Sequence, residues 1–311
     1  MYKVFIDGRE GTTGLRIYER LSAFADISLL TLSEKQRKDP AARQACIRQS
    51  DIAFLCLPDD AAREAVKLAG SSSVRIIDAS TAHRTVPGWS YGFPELSAAH
   101  AQAIATGSRI AVPGCHASGF IALVYPLIAS GILGTDALLS CFSITGYSGG
   151  GKKMIAEYQS GERGTAYSSP RHYATAQAHK HLQEMQKVTG LAYTPIFNPV
   201  VADFYAGMLV SVPLHAGMLN KRLQPEALQA IYAMHYAGKS MVNVLPYSGE
   251  NEFLAANALS GKDTMEIMIA GRDDRFTLMA RYDNLGKGAS GAAIQCMNLM
   301  LGRAETAGLT L

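Results

Sequence analysis

A cysteine set directly after Pro-Gly is the first residue of this sequence that could do chemistry. In Ile110-Ala111-Val112-Pro113-Gly114-Cys115-His116-Ala117-Ser118-Gly119 an apolar run ends, Cys115 follows, and a long apolar segment begins at Phe120. The order reads strand, tight turn, cysteine, helix. A thiol at a helix start faces N–H groups that have no acceptor within the helix, and it lies at the positive end of the helix dipole. Both favour the nucleophilic thiolate. Most cysteines are instead small buried hydrophobes, so the context must decide. His181 and Glu184 stand three apart on an expected helix and share a face. An imidazole oriented by a carboxylate could act as a general base, although the same pair suits an ordinary helix surface.

Upstream lies a possible nucleotide site. Gly8-Arg9-Glu10-Gly11-Thr12-Thr13-Gly14 follows a first apolar strand and opens a first helix. Glycines at this spacing let the backbone turn and approach a pyrophosphate, whose charge then lies at the helix N-terminus. Gly8, Gly11, Thr12, Thr13 and Gly14 are the expected contacts. Near the end of the second strand stand Ser33, Lys35, Arg37 and Lys38. An acidic residue at this place would hold the ribose 2′-hydroxyl of NAD, whereas basic residues suit the 2′-phosphate of NADP. Glu34 is present among them, yet the balance favours NADP. A nucleotide fold followed by a nucleophilic cysteine suggests a thiol-bound acyl group reduced to an aldehyde.

The elements that must position these residues can be read coarsely. Short apolar runs at Val4–Ile6, Ile27–Leu32, Ile52–Leu57, Val74–Ile77 and Ile110–Val112 alternate with helical patterns at Gly11–Leu21, Ala41–Gln49 and Ala61–Ala69. Asp59 or Asp60 is the expected N-cap of the third helix. This alternation predicts a doubly wound parallel sheet of Rossmann type. Beyond the helix that follows Cys115, longer alternating runs at Leu138–Tyr147, Met208–Leu214, Thr264–Ala270 and Phe276–Tyr282 predict an α+β domain with a mostly antiparallel sheet. Gly271–Asp274 is its expected hairpin turn. Pro225–Tyr236 reads as a helix. A last helix, Gly291–Leu301, is expected to return to the first domain. The expected domains are 1–116 with 285–311, and 117–284.

Composition narrows the class. The chain has 311 residues, 48% hydrophobic and 18% charged, enough for two cores. A net charge of +3, without basic runs interleaved with aromatics, argues against nucleic acid. No apolar stretch is long enough to span a bilayer, and Met1-Tyr2-Lys3 leads straight into a strand without an export signal. The five cysteines are widely spaced, with no Cys-x-x-Cys pair. That argues against a disulfide framework or zinc site and fits a reducing cytoplasm. Cys46, Cys56, Cys141 and Cys296 read as packing residues, and His83, His116 and His215 receive no role.

Beside the glycine turn stand further blocks: Asp78-Ala79-Ser80-Thr81-Ala82-His83-Arg84, Tyr91-Gly92-Phe93-Pro94-Glu95-Leu96, Pro113-Gly114-Cys115, Tyr147-Ser148-Gly149-Gly150-Gly151-Lys152, His179-Lys180-His181-Leu182-Gln183-Glu184 and Asp283-Asn284-Leu285-Gly286-Lys287-Gly288-Ala289-Ser290-Gly291. In order and spacing, these blocks together resemble N-acetyl-gamma-glutamyl-phosphate reductase, in its shorter subtype, a family related to aspartate-semialdehyde dehydrogenase. Arg9-Glu10 in the glycine turn and His116-Ala117-Ser118 after the cysteine depart from the longer members. The resemblance implies NADPH-dependent reduction of an acyl phosphate to a semialdehyde and phosphate in arginine biosynthesis, with Cys115 as nucleophile. It makes His181 the base, His179 the second choice, and Glu184 its orienting partner. Because that substrate is anionic at both ends, Arg84 and Lys152, with Lys153, are candidate contacts, and Gln159 and Tyr158 could line the site. Asn284 resembles the family's residue near the nicotinamide amide. The resemblance also implies a homodimer or homotetramer, in keeping with an apolar sheet face that few helices can cover. Rival readings are an aspartyl phosphate or a carrier-bound aminoadipate substrate, and a catalytically silent NADP sensor.

Overall fold

The computed structural model describes residues 1–246 and 253–311. It divides into Met1–Pro113 with Ala289–Leu309, and Gly114–Gly288 with Thr310–Leu311. In the first unit the chain runs β1 (Tyr2–Asp7), α1 (Thr12–Leu21), β2 (Ile27–Leu30), α2 (Pro40–Gln49), β3 (Ile52–Leu55), α3 (Asp59–Ala69), β4 (Arg75–Asp78), β5 (Ser90–Tyr91), α4 (Ala98–Thr106) and β6 (Arg109–Ala111). The strands form a sheet ordered β2-β1-β3-β4-β6-β5, with every pairing parallel. Side chains alternate across it. Val4, Ile6 and Phe54 join one core with Ile17 and Leu21, while Phe5, Ala53 and Leu55 join another with Ile47, Ala62 and Ala65. Both faces are therefore dry, which explains the continuous apolar strands.

The second unit runs α5 (Cys115–Ala129), β7 (Ser140–Gly146), α6 (Gly151–Gln159), β8 (Arg171–His172), α7 (His181–Thr189), β9 (Ile196–Ala202), β10 (Met208–His215), α8 (Pro225–His235), β11 (Val242–Val244), β12 (Met265–Arg272) and β13 (Arg275–Tyr282). Its sheet is ordered β11-β12-β13-β10-β7-β9-β8. The central β12-β13-β10-β7 pairings and β9-β8 are antiparallel, and β11-β12 and β7-β9 are parallel. The β12–β13 hairpin closes at the Arg272–Arg275 pair, and Asp273 takes the positive φ of 41° that such a tight turn demands. Helices α5 and α8 pack on this sheet. The last helix, α9 (Gly291–Met300), belongs to the first unit, where it packs on α4, α1 and β4.

Two sequence expectations need correction. The first unit ends at Pro113, not at residue 116, and residues 285–288 group with the second unit. The reason is local: Gly114 is bonded to α7, and α5, which begins at Cys115, is packed among α7, α8, β10 and β13. Nor does Asp59 or Asp60 cap α3. Pro58 holds the cap position and Asp59 is already helical. The Asp59 carboxylate instead accepts from the backbone N–H and the hydroxyl of Thr81, at 3.0 and 2.5 Å.

At the end of β1, Asp7 is only 5% exposed, and Arg43 of α2 only 6%. Arg43 Nε donates to Asp7 Oδ2 at 3.0 Å, and its Nη1 to Glu64 Oε2 at 2.5 Å. Burial raises the Asp7 carboxyl above its ordinary range, and Arg43 opposes that rise. Removing the arginine leaves a buried acid without its cation. Arg43→Ala is expected to lower the unfolding free energy in urea by roughly 3 kcal/mol or more. Glu64→Gln, at the half-exposed end of the same network, is expected to cost under about 1 kcal/mol. Equal losses in the two variants would mean that the buried half of the network carries no extra weight.

Candidate active site

The glycine turn of the first unit is shaped by the exclusion of side chains. Gly8 has φ of +86°, and a Cβ there would lie 2.2 Å from the Cys56 carbonyl oxygen. A Cβ on Gly14 would lie 2.4 Å from the Gly8 carbonyl oxygen. Gly11 is the N-cap of α1 and supplies no side-chain cap, so the first N–H groups of the helix have no such acceptor. Gly11, Thr12, Thr13 and Gly14 line a cavity of about 190 Å³ with Cys56, Leu57 and Ala79. A second cavity, of about 170 Å³, is lined by Gly8, Arg9, Glu10, Tyr18, residues 29–32, Arg37 and Lys38. Bare backbone at a helix N-terminus beside a cleft with three cations fits a dinucleotide.

Not every expected contact is there. Ser33 and Lys35 do not line either cavity; the Ser33 hydroxyl donates to Gln36 Oε1 at 2.8 Å. Arg9 does line one, its guanidinium lying 4.9 Å from the centre of the Tyr18 ring. The sequence reading had treated Arg9 only as a departure from pattern. The acids nearby are engaged: Glu34 pairs with Arg37 at 2.9 Å and Glu10 with Arg9 at 3.1 Å. Arg84, also in the first unit, directs Nε to the Val112 carbonyl at 2.8 Å and Nη2 to the Ala79 carbonyl at 3.1 Å. Close by, Asp78 accepts from the Ser80 N–H and hydroxyl and bonds His83 Nδ1 at 2.6 Å, while His83 stacks on Trp89.

In the second unit, Cys115 is the first residue of α5, and Gly114 is an N-cap without a side-chain cap. Glu184 of α7, 1% exposed, accepts the Gly114 N–H at 2.7 Å. The carboxylate expected to orient an imidazole is therefore bonded to the turn that carries Cys115. The Tyr282 hydroxyl donates to the Cys115 carbonyl at 2.5 Å and accepts the Gly119 N–H at 3.0 Å. A Cβ on Gly119 would come within 2.7 Å of that hydroxyl, and one on Gly288 within 3.0 Å of the Cys115 Cβ. The Cys115 side chain is only partly buried. Among the other thiols, burial pushes Cys56 up to about 12, aided by Asp78 and Asp7, and raises Cys46 and Cys141 as well.

His181, the first residue of α7, is 8% exposed. Its backbone N–H donates to His179 Nδ1 at 3.2 Å, and the two rings lie 4.6 Å apart. Both rings lie 5.6 Å from that of His116, which the sequence had left without a role. His116 bonds Ser143 Oγ through Nδ1 at 2.7 Å and the Tyr173 hydroxyl through Nε2 at 2.6 Å. Burial drives its pKa down to about 3, and His179 adds to the effect. Burial raises the Tyr173 phenol strongly, with the Cys115 charge a further cause. No group of His, Cys, Asp and Glu among the described residues is arranged to hold a metal ion.

The remaining candidates are placed less directly. Lys152 and Gln159 are exposed at the two ends of α6. Tyr158 is buried and stacks on Tyr147. Asn284 is buried, its Oδ1 accepting the Gly207 N–H at 2.9 Å and its Nδ2 donating to Ser148 Oγ at 3.0 Å. The carboxamide thus ties the glycine-rich loop before α6 to the end of β13.

Comparison with known proteins agrees with this geometry. A family model described as the semialdehyde dehydrogenase NAD binding domain matches residues 3–104. One described as the semialdehyde dehydrogenase dimerisation domain matches residues 115–284. Among solved structures, aspartate semialdehyde dehydrogenase II from Vibrio cholerae has the same fold, with a TM-score of 0.73 and 16% identity over 97% of this chain and 98% of that one. The chain is 44% identical to N-acetyl-gamma-glutamyl-phosphate reductase 2 of Nostoc sp., over 99% of both proteins. It is 45% identical to N-acetyl-gamma-glutamyl-phosphate reductase of Chelativorans sp., over 96% of this chain and 98% of that protein. Identity at this level, over nearly the whole length of the chain, means that it belongs to the N-acetyl-gamma-glutamyl-phosphate reductase family, oxidoreductases built on the semialdehyde dehydrogenase fold.

Proposed function

We infer that the protein reduces N-acetyl-gamma-glutamyl phosphate to N-acetylglutamate semialdehyde and phosphate, with NADPH as reductant, through a thioester on Cys115. The observation that carries this reading is Cys115 as first residue of α5, with its turn held by Glu184 and its neighbour in sequence, His116, 5.6 Å ring to ring from both His179 and His181. The helix start favours the thiolate. His181 accepts the thiol proton and can return it to the acyl oxygen as charge develops there. The sulfur bonds the acyl carbon while the carbon–oxygen bond to phosphate breaks, and phosphate leaves with the electron pair. When bound, the reduced nucleotide supplies the hydride that turns the thioester into an aldehyde. In that step the C–S bond breaks as the carbonyl reforms, sulfur leaves as thiolate, and the proton lent to the acyl oxygen returns to His181. Lys152, exposed just after three glycines, is our preferred cation for the substrate, with Gln159 at the other end of α6 as a second contact. Two donors of Arg84 serve backbone carbonyls, which makes it the weaker candidate.

The reading is tested by phosphate-dependent reduction of NADP with N-acetylglutamate semialdehyde, run beside aspartate semialdehyde. The first substrate is expected to turn over and the second not. Cys115→Ser is expected to bind NADP and lose nearly all turnover; retention of more than about a tenth would show that this thiol is not the covalent nucleophile.

Gly8, Gly11, Thr12, Thr13 and Gly14 would hold the pyrophosphate, while Arg37 and Lys38, with Arg9, would meet a 2′-phosphate. A kcat/KM ratio favouring NADPH over NADH is expected, and the double variant Arg37→Ala/Lys38→Ala should narrow it by at least tenfold. An unchanged ratio would place the preference elsewhere.

The second sheet supports a homodimer. On one face its residues pack against helices, but Phe142, Ile144 and Ile196 are 51, 38 and 60% exposed on the other. Register brings Leu209 beside Ile144, and Val200 on its other side. Such a face is suited to a second copy of itself. Sedimentation at micromolar concentration is expected to give a dimer or tetramer, and Phe142→Asp to shift it toward monomer. A monomeric wild-type chain would sink the idea.

A further inference from the structure

Two histidines stand together at the start of α7, and the reaction above uses one proton carrier. Their hydrogen bonds tell them apart. Lys180, the N-cap residue of α7, is itself in helical geometry and supplies no side-chain cap. His179, one residue earlier, supplies two acceptors instead. Its Nδ1 accepts the backbone N–H of His181 at 3.2 Å, and its carbonyl accepts that of Leu182 at 3.0 Å. Both N–H groups belong to the first turn of the helix, where none finds an acceptor within the helix. A side-chain acceptor for the N–H two residues on is how Asn and Asp form local turns. In histidine Nδ1 is bonded to Cγ, as Oδ1 is in asparagine, so the ring copies that turn.

The segment that delivers His179 is fastened to β9. The Tyr173 N–H donates to the Pro199 carbonyl at 3.1 Å. The Gln177 carboxamide then takes both main-chain groups of Phe197: Nε2 donates to the carbonyl and Oε1 accepts the N–H, each at 2.8 Å. The His179 ring meets the Phe197 ring edge-on, 5.2 Å between centres. Its tautomer follows from the cap. A nitrogen that accepts a backbone N–H carries no proton, so the proton of the neutral ring is on Nε2. In that form neither nitrogen can take another proton while the cap is made.

We propose that His179 is a positioning residue: it caps α7 through Nδ1, holds His181 in place as the proton carrier, and takes no proton in the reaction. This deepens the reading given above and rests on it for the identity of the base.

The test compares His179→Asn, His179→Ala and His181→Asn in the full-length protein. One arm is turnover of N-acetylglutamate semialdehyde with phosphate and NADP, and the other is thermal unfolding without ligand. Asparagine keeps an acceptor at the capping position but has no titrating nitrogen. His179→Asn is expected to stay within about threefold of wild-type kcat, and His181→Asn to lose at least about 100-fold, the scale of a lost general base. His179→Ala is expected to lower kcat by about tenfold with little change in KM, as a reacting group slips out of place. It should also lower Tm by about 2 °C, which asparagine restores. A loss of about 100-fold in His179→Asn would make His179 a proton carrier and overturn the proposal. Equal kcat and Tm in the alanine and asparagine variants would overturn it too, because the acceptor would then have no effect. Should His179→Asn fail to fold, His179→Asp, with an acceptor at the same position, replaces it. If the wild-type chain does not turn over the semialdehyde, the reaction assignment falls, and the cap is decided by unfolding alone: it stands if asparagine restores the Tm that alanine loses, and falls if the two are equal.

Discussion

The carboxylate of Glu184 on the backbone N–H of Gly114 is the contact on which the Cys115 site depends. It joins two positions 70 residues apart and fixes the turn from which α5 starts. A hydrogen bond to a charged acceptor is among the stronger ones a protein makes, and here almost no water competes. The negative charge also sits at a helix N-terminus, where the dipole favours it. Yet it takes up the N–H of the cap residue and not those of the first turn. The N–H groups of Cys115, His116 and Ala117 have no acceptor within the helix, and they are the ones that face an anion at Cys115. The acid thus secures the geometry without occupying the electrostatic site that the geometry creates.

The rest of the turn is held by similar contacts of backbone with buried side chains. Tyr282, at the end of β13, places its hydroxyl in the first turn of α5, against both the Cys115 carbonyl and the Gly119 N–H. Such an approach needs glycine at 119, since any Cβ would meet both the phenol and Val210. Gly288 allows the segment after β13 to lie against Cys115 in the same way. Cys115 is therefore set by three parts of the second unit: α7 through Glu184, β13 through Tyr282, and the Gly288 segment through close packing. Packing of this kind restrains the thiol within the narrow tolerance that a reacting atom requires.

What the sequence revealed and what it hid follow from the range of the interactions. The glycine turn was legible because its cause is local: bare backbone after one strand and before one helix. The parallel sheet was legible because strands dry on both faces read as continuous apolar runs, and the second sheet because its strands alternate. The Cys115 turn belongs to the same class. Glu184 was found, but its bond to the Gly114 N–H, 70 residues away, was not legible, because a spacing of three says that two residues share a face and not what that face meets. His116 was passed over because its partners lie 27 and 57 residues away. Asn284 is similar: the block was recognised, but its carboxamide bonds Gly207 and Ser148, 77 and 136 residues away. Asp59 failed for a different reason. Both its neighbours and its type suit a cap, but Thr81, 22 residues on, offered two donors.

Helix starts divide along the same line. Asp39 and Ser97 cap α2 and α4 with side-chain oxygens, each satisfying one orphan N–H group. Gly11 and Gly114 begin α1 and α5 with no side-chain cap. A missing cap alone has no such meaning, since α3 and α8 also start without one. At α1 and α5 close packing maintains bare glycine backbone nearby, as it does at α6, where a Cβ on the uncapped Gly150 would meet Met154. At Gly8 and Gly14 a Cβ would collide with main-chain atoms, and at Gly119 and Gly288 it would collide with Val210, Tyr282 or Cys115. A side chain cannot be added there without moving backbone or core. The packing around them thereby keeps the starts of α1 and α5 free of added side chains.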